Sequence, residues 1–102
     1  MKLPKAVTIG PYVYPVKEVA LLVDGDGKER DGWGYIAWSR GDIQINQDIN
    51  PHRKLVTFFH EVLHGVAEAA CVTLTEKENE VLATALTAFL LDNKLLIAEM
   101  RP

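Results

Sequence analysis

The chain has one cysteine, no basic cluster and no long apolar run, and each of these shortages excludes a class of protein. Cys71 cannot form an internal disulfide, which favours a reducing compartment. The formal net charge is −3. We therefore expect no nucleic-acid partner, because phosphate binding requires concentrated Lys and Arg. No apolar stretch approaches the roughly 18 residues of a membrane helix, so no membrane partner is expected.

The remaining composition is that of a folded globular protein. Hydrophobic residues make up 48% of the chain and charged residues 25%, which argues against disorder. Its 102 residues are enough for one domain and too few for two, so we expect one domain over residues 1–102. The first ten residues, MKLPKAVTIG, lack the apolar core of a signal peptide. These features predict a cytoplasmic protein.

Two halves of different periodicity predict an α+β fold, with a small antiparallel N-terminal sheet followed by two helices. All glycines except Gly65 lie in the first half. There, Trp33–Trp38 and Asp42–Ile49 are separated by three residues and predict an antiparallel hairpin. Ile43 and Ile45 alternate with polar residues, which is typical of a strand with one solvated face.

The second half predicts the two helices through their capping signals. Asn50 followed by proline is a good helix start, and the first helix should run from Pro51 to about Ala70. Thr75 and Glu78 form the pattern T-x-x-E, a capping box that starts a second helix ending near Asp92. That C-terminal helix is apolar around most of its circumference, which predicts burial within the domain or a homo-oligomer through this helix.

The motif H-E-x-x-H stands in the first helix as His60-Glu61-Val62-Leu63-His64. At about 3.6 residues per turn, the two histidines stack on one helix face. They can share one Zn²⁺, and Glu61 lies close enough to take a proton from a metal-bound water. We therefore assign Glu61 as the general base. Mn²⁺, Fe²⁺ or Ni²⁺ remain alternatives, since the ligand types admit them.

Two simpler explanations compete with a metal site: a buried, hydrogen-bonded histidine pair and two solvated surface histidines. On the helical wheel the apolar residues of the first helix fall on one side, and the histidines fall outside that stripe. This argues against core histidines.

The two aspartates of the loop DGDGK do not make a calcium site, since Lys28 stands where a third oxygen ligand is needed; a solvated hairpin loop is the better interpretation.

A zinc ion with a bound water needs a third protein ligand. We favour Glu80, which lies one turn inside the second helix on a face away from its apolar stripe. Glu76 at the first helical position is explained by the helix dipole alone, and Glu78 by the capping box. Glu68 is better explained as a surface residue or one that supports a ligand than as a ligand itself. Cys71 is too far along the axis to join His64 at one metal, and we expect it to be an ordinary buried small residue.

The segments FFHEVLHGV and ENEVLATALTAFLLDN, with the lead-in GYIAWSRGDIQINQDINPHRKLVTFFHEVLH, resemble the ImmA/IrrE-type metallopeptidase-like proteins, especially their short phage and prophage versions. The resemblance covers roughly residues 33–93. It implies a minimal gluzincin-like zincin that binds one Zn²⁺ through His60, His64 and Glu80. The family usually has Asn or Asp four residues after the ligand glutamate, a position held here by Thr84. If the chain is phage-encoded, its place is the bacterial host cytoplasm.

What the resemblance implies in function is a zinc metallopeptidase that hydrolyses an intracellular protein or peptide substrate. A catalytically weak or inactive metal-binding regulatory or structural phage protein is the alternative. Two further expectations concern the substrate. Tyr35 and His52 are candidate oxyanion groups, although a structural role suits either better. The strand Asp42–Asn46 could pair with an extended peptide at a sheet edge.

Overall fold

A computed structural model of the chain describes residues 2–100 and confirms the α+β class, with a small sheet followed by helices. The elements in chain order are β1 (Ala6–Ile9), β2 (Tyr12–Val19), β3 (Leu22–Val23), β4 (Glu29–Arg30), β5 (Gly34–Ala37), β6 (Asp42–Asn46), α1 (Pro51–Ala69), α2 (Glu76–Asp92) and α3 (Lys94–Glu99). None of the helices within the described residues is long and apolar enough to cross a membrane.

The main sheet has four strands in the order β1-β2-β6-β5, and β3 and β4 form a separate ribbon. The first half of β2 pairs antiparallel with β1, and its second half pairs in parallel with β6. The sheet is therefore mixed, and the expectation of a wholly antiparallel sheet is wrong. Two parallel neighbouring strands need a long connection between them. The chain between β2 and β6 is such a connection, and it contains the ribbon and β5.

The hairpin of β5 and β6 is confirmed, but β6 is an interior strand. It lies between β2 and β5, so the prediction that Asp42–Asn46 pairs with a peptide at a sheet edge is wrong; β5 is the edge strand beside it. The solvated face predicted for β6 is also covered. Gln44 is buried because its side-chain amide exchanges two hydrogen bonds with the backbone of Val23 in the ribbon.

Both helix starts are confirmed. The side chain of Asn50 accepts a hydrogen bond from the Arg53 N–H at 2.8 Å, and α1 ends at Ala69. Thr75 and Glu78 form the reciprocal capping box of α2. The helical C-terminal region is interrupted at Asn93, after which α3 begins.

The core lies between the sheet and one face of α1, and α2 packs against α1. It is built from the apolar residues Ile9, Tyr14, Ile36, Ile43, Ile45 and Phe58. Much of the apolar surface of α2 is not covered by this arrangement: Val81, Leu82 and Phe89 are all about half exposed. Burial within the domain, one of the two expectations for this helix, thus holds for only one side of it, where Ala83 and Thr87 are fully buried, and the homo-oligomer stays a prediction.

Candidate metal centre

The two histidines of the motif turn their rings toward the same point, on the side of α1 that faces α2. The Nε2 atoms of His60 and His64 are 3.2 Å apart, and both residues are partly buried. The spacing of four residues predicted that the rings share a face, and the structure confirms this. Burial lowers the pKa of His64, and a neighbouring carboxylate, Glu76, opposes that effect.

Glu76, in the first turn of α2, completes the cluster. One of its carboxylate oxygens lies 2.8 Å from Nε2 of His64 and the other 3.3 Å from Nε2 of His60. Among the described residues, these three form a group whose potential ligand atoms all lie within 4.8 Å of one another. Glu80, the residue that the sequence favoured, does not reach this point.

The two ring nitrogens are spaced as ligands of one tetrahedral ion would be. Ligand atoms at about 2.0–2.1 Å from a tetrahedral zinc lie roughly 3.3 Å from each other, and the Nε2 atoms of His60 and His64 are 3.2 Å apart. Each oxygen of the Glu76 carboxylate lies near a different ring, 3.3 Å from His60 and 2.8 Å from His64. The donor set of two imidazoles and a carboxylate is one that zinc accepts, with a fourth position open.

Glu80 contacts the other nitrogen of the same ring. Its Oε2 atom lies 2.8 Å from Nδ1 of His60. Because an ionised carboxylate only accepts hydrogen bonds, this contact assigns the proton to Nδ1 and leaves the Nε2 lone pair directed at the cluster. The second Glu80 oxygen accepts a hydrogen bond from Arg53 at 3.0 Å, and the Arg53 guanidinium also lies 4.4 Å from the centre of the Trp33 ring.

Glu61 lies beside the cluster in a buried position. Its side chain is on the sheet side of the histidines, 4.0 Å from Nε2 of His60, and the residue is 6% exposed. It accepts a hydrogen bond from the backbone N–H of Ile36 in β5. Burial raises the pKa of Glu61 to about 7, reinforced by Glu76 and Glu80 and opposed by His60 and the Ile36 N–H.

Two close contacts, one from β5 and one from α2, fix the positions of Glu61 and of the turn of α1 that carries His60. Gly34 brings β5 against α1: a Cβ atom at this position would lie 2.5 Å from Cγ2 of Thr57 and 3.4 Å from Cγ of Glu61. Asn79, which is fully buried on α2, donates a hydrogen bond to the His60 carbonyl at 2.8 Å. The first contact sets the distance of Glu61 from the edge strand, and the second joins α2 to the turn of α1 that carries the motif.

The cluster opens into a cleft of about 260 Å³, called here the metal-site cleft. Its lining includes Trp33, Gly34, His60, Glu61 and Glu76. The cleft therefore presents two of the three candidate ligands, His60 and Glu76, and the candidate base to the same space at the beginning of β5, while His64 lines a neighbouring hollow.

The remaining sequence candidates lie elsewhere. Tyr35 and His52 are not part of the cleft lining; the Tyr35 ring lies under the Arg30 guanidinium and His52 is exposed at the start of α1. Thr84 donates its hydroxyl hydrogen to the carbonyl of Glu80 in its own helix. Cys71 is exposed just beyond α1 with a φ of 58°, which contradicts the expectation that it is an ordinary buried residue.

The sequence matches no protein-family profile, no curated protein sequence and no solved structure.

Glu76 was not predicted as a ligand, because the helix dipole alone explains an acid at that position. The missed signal is the spacing of Glu76 and Glu80, four residues apart and thus on one face. With Glu76 at the cluster, the position four residues later is Glu80, an acid in contact with the candidate ligand His60.

Proposed function

We propose that the protein is a zinc-dependent peptidase that hydrolyses a peptide bond of an intracellular protein or peptide, with His60, His64 and Glu76 holding one zinc ion. The observation that carries this proposal is the convergence of both Nε2 atoms and the Glu76 carboxylate within 4.8 Å of one another, with a buried carboxylate beside them. When bound, zinc would supply a Lewis acid and a water acidic enough to be deprotonated near neutral pH.

In this proposal Glu61 is the proton carrier. Its carboxylate lies within one water of the cluster, so it can accept a proton from the attacking water and deliver it to the leaving amine. A nearby dication favours the ionised carboxylate and lowers its pKa below that of the metal-free site. Glu61 would therefore be a base at neutral pH with zinc present, despite its burial.

The other groups act through the ligands. Glu80 keeps the His60 proton on Nδ1, and Arg53 holds the Glu80 carboxylate in place. Such contacts orient a ligand ring and raise its basicity. Asn79 links the turn of α1 that carries His60 to α2. This link keeps Glu76, at the start of α2, next to the two histidines.

A metal-binding protein without useful turnover is the second candidate function. It is favoured by one observation: Tyr35 and His52, the oxyanion candidates from the sequence, do not line the metal-site cleft. Efficient peptide hydrolysis needs a donor directed at the developing oxyanion. A protein that lacks one would keep the metal for regulation or structure.

Two measurements separate these functions. Metal analysis of protein purified without added zinc should give one zinc per chain, and alanine at His60 or His64 should abolish it. A cell extract treated with the parent protein or with Glu61→Gln should then be compared for new peptide termini by mass spectrometry. Termini produced by the parent alone support the peptidase; zinc binding with identical termini from both proteins supports the non-enzymatic function.

A further inference from the structure

A second cavity, of about 540 Å³, lies between the β1–β2 turn, the residues that join β5 to β6 and the C-terminal half of α1. It is called here the aromatic cavity, because its lining includes the rings of Tyr12, Tyr14 and Trp38. Its volume is within the range of about 300–1,000 Å³ that is common for small-molecule sites. None of the candidate metal ligands belongs to this lining, so the aromatic cavity is a separate candidate site.

Two of the three aromatic rings are held in place by each other. The Tyr14 side chain is buried in the core, and the Trp38 ring meets it edge to face at 83°, with ring centroids 6.4 Å apart. Tyr12 is 65% exposed and Trp38 47%, so both remain accessible to a ligand. Because the Tyr14–Trp38 corner exists before a ligand arrives, binding there costs little further side-chain entropy.

The charge of the aromatic cavity is negative. Glu68 is the one charged residue among the described residues that line it, and within residues 2–100 its carboxylate forms no ion pair. The faces of aromatic rings also carry partial negative charge. The arginines that stack on aromatic rings in the described part of the chain lie over Tyr35 and Trp33 instead. The rings and the carboxylate therefore favour the same kind of ligand, an external cation.

The chemistry of the lining also selects among cations. A metal ion such as Ca²⁺ requires about six to eight oxygen ligands, and one carboxylate does not supply them. A primary ammonium group is strongly hydrated, so moving it against aromatic rings is costly. An alkylated ammonium group spreads its charge over methyl groups that pack directly on such rings, and aromatic cages bind this kind of cation.

We propose that the aromatic cavity binds a free small molecule through an alkylated ammonium group, such as trimethylammonium, which contacts Tyr12, Tyr14 and Trp38 while Glu68 balances its charge. This site goes beyond the proposed peptidase function and does not depend on it. Trp38 and Glu68 also line the hollow beside His64, so a molecule bound in the aromatic cavity would lie next to the candidate metal centre without contacting its ligands.

The test compares choline with its neutral isostere, in which a carbon atom replaces the charged nitrogen. Each compound is titrated into isotope-labelled protein, and binding is followed by NMR at the indole N–H signal of Trp38. The chain has two tryptophans, so a Trp38→Leu variant identifies this signal by its loss. The cation–π contacts and the carboxylate should make choline bind about tenfold more tightly than the isostere.

Matched variants separate the contributions of the rings and of the carboxylate, with binding followed at the backbone N–H signals of the cavity lining. Trp38→Leu and Tyr12→Leu keep an apolar side chain and should each reduce the preference for choline to about threefold or less. Glu68→Gln keeps the size of the side chain and should reduce the preference about two- to fivefold, because the residue is exposed. Phe89→Leu and Glu99→Gln change exposed side chains of α2 and α3 and should leave it unchanged.

Four results would overturn the proposal. They are equal affinity for choline and the isostere, no shift with either compound, shifts confined to the signal of Trp33 in the metal-site cleft, and a preference that survives both Tyr12→Leu and Glu68→Gln. Repeating the titration with a chelator separates this proposal from the peptidase. A choline preference that persists without metal supports the aromatic cavity even if the protein proves to bind no zinc, and a preference that requires zinc contradicts it.

Discussion

Glu80 contacts Nδ1 of His60 at 2.8 Å, on the opposite side of the imidazole ring from the Nε2 atom that faces Glu76. The two acids are four residues apart on α2 and so contact the two nitrogens of one ring. In the proposed zinc site Glu76 is a metal ligand, and Glu80 is the hydrogen-bond partner that orients His60. The predictions below follow from this division.

The two acids should differ in their effect on zinc affinity. Glu76→Ala removes a proposed ligand and should weaken zinc binding by more than about 100-fold. Glu80→Ala removes only the partner of Nδ1 and should cost about 10–100-fold. Competition with a chelating dye measures both. Asp92→Asn, an exposed acid at the end of the same helix, is the control and should change little. A larger loss in Glu80→Ala than in Glu76→Ala would make Glu80 the ligand.

Arg53 should have a smaller influence on zinc affinity through Glu80. Arg53→Met keeps the aliphatic stem and removes the charge that holds the Glu80 carboxylate. Both partners of this pair are partly exposed, so solvent screening limits the effect to about two- to fivefold. Lys54→Met is the matched control, because the adjacent Lys54 pairs with Glu18 instead. If Arg53→Met and Lys54→Met have the same zinc affinity, Arg53 does not position Glu80.

Gly34 should be intolerant of a side chain. Gly34→Ala places a methyl group against Cγ2 of Thr57 and the carbonyl of Gln44, and overpacking of this kind costs about 1–3 kcal/mol. Urea denaturation measures the loss. Adding Thr57→Ser removes the nearest methyl group and should restore part of the stability. If Gly34→Ala is as stable as the parent protein, β5 does not lie this close to α1.

Glu61 should give the metal-free protein a distinct dependence of stability on pH. The pKa of Glu61 is raised from 4.5 to about 7 in the folded protein, mainly by burial. The folded state therefore binds a proton more readily than the unfolded state. The contribution of Glu61 to the free energy of unfolding is complete below pH 4.5 and is lost as pH rises through about 7. The free energy of unfolding falls by about 3 kcal/mol over this range.

Denaturation of chelator-treated protein between pH 4 and 8 measures this effect as the difference between the parent and Glu61→Gln. The difference isolates Glu61, because the lowered pKa of His64 has the opposite sign and is present in both proteins. Glu99→Gln, an exposed acid of α3, should follow the parent. Parallel stability curves for the parent and Glu61→Gln would show that Glu61 is not buried as described.

The features that were predictable from the sequence are those fixed by local chemistry. Asn50 before a proline and the Thr75–Glu78 box mark the starts of α1 and α2, and each is satisfied within a few residues. The spacing of His60 and His64 determines their shared face through helix geometry alone. Local signals of this kind do not depend on the rest of the chain.

The features that were missed depend on contacts distant in sequence. The parallel pairing of β2 with β6 has no local signal, and Gln44 looked solvated because its partner Val23 belongs to a separate ribbon. The choice between Glu76 and Glu80 depends on how far α2 is displaced along α1. The buried amide of Asn79 helps to fix that displacement, and no sequence motif marks Asn79 for this role.

Diffraction from zinc-soaked crystals, with anomalous differences collected at the zinc absorption edge, tests the central claim most directly. The account predicts one peak per chain, about 2.0–2.2 Å from Nε2 of His60, Nε2 of His64 and a carboxylate oxygen of Glu76, with Glu80 on Nδ1. No peak at this position, or a peak bound by Glu80 with Glu76 turned to solvent, would contradict it.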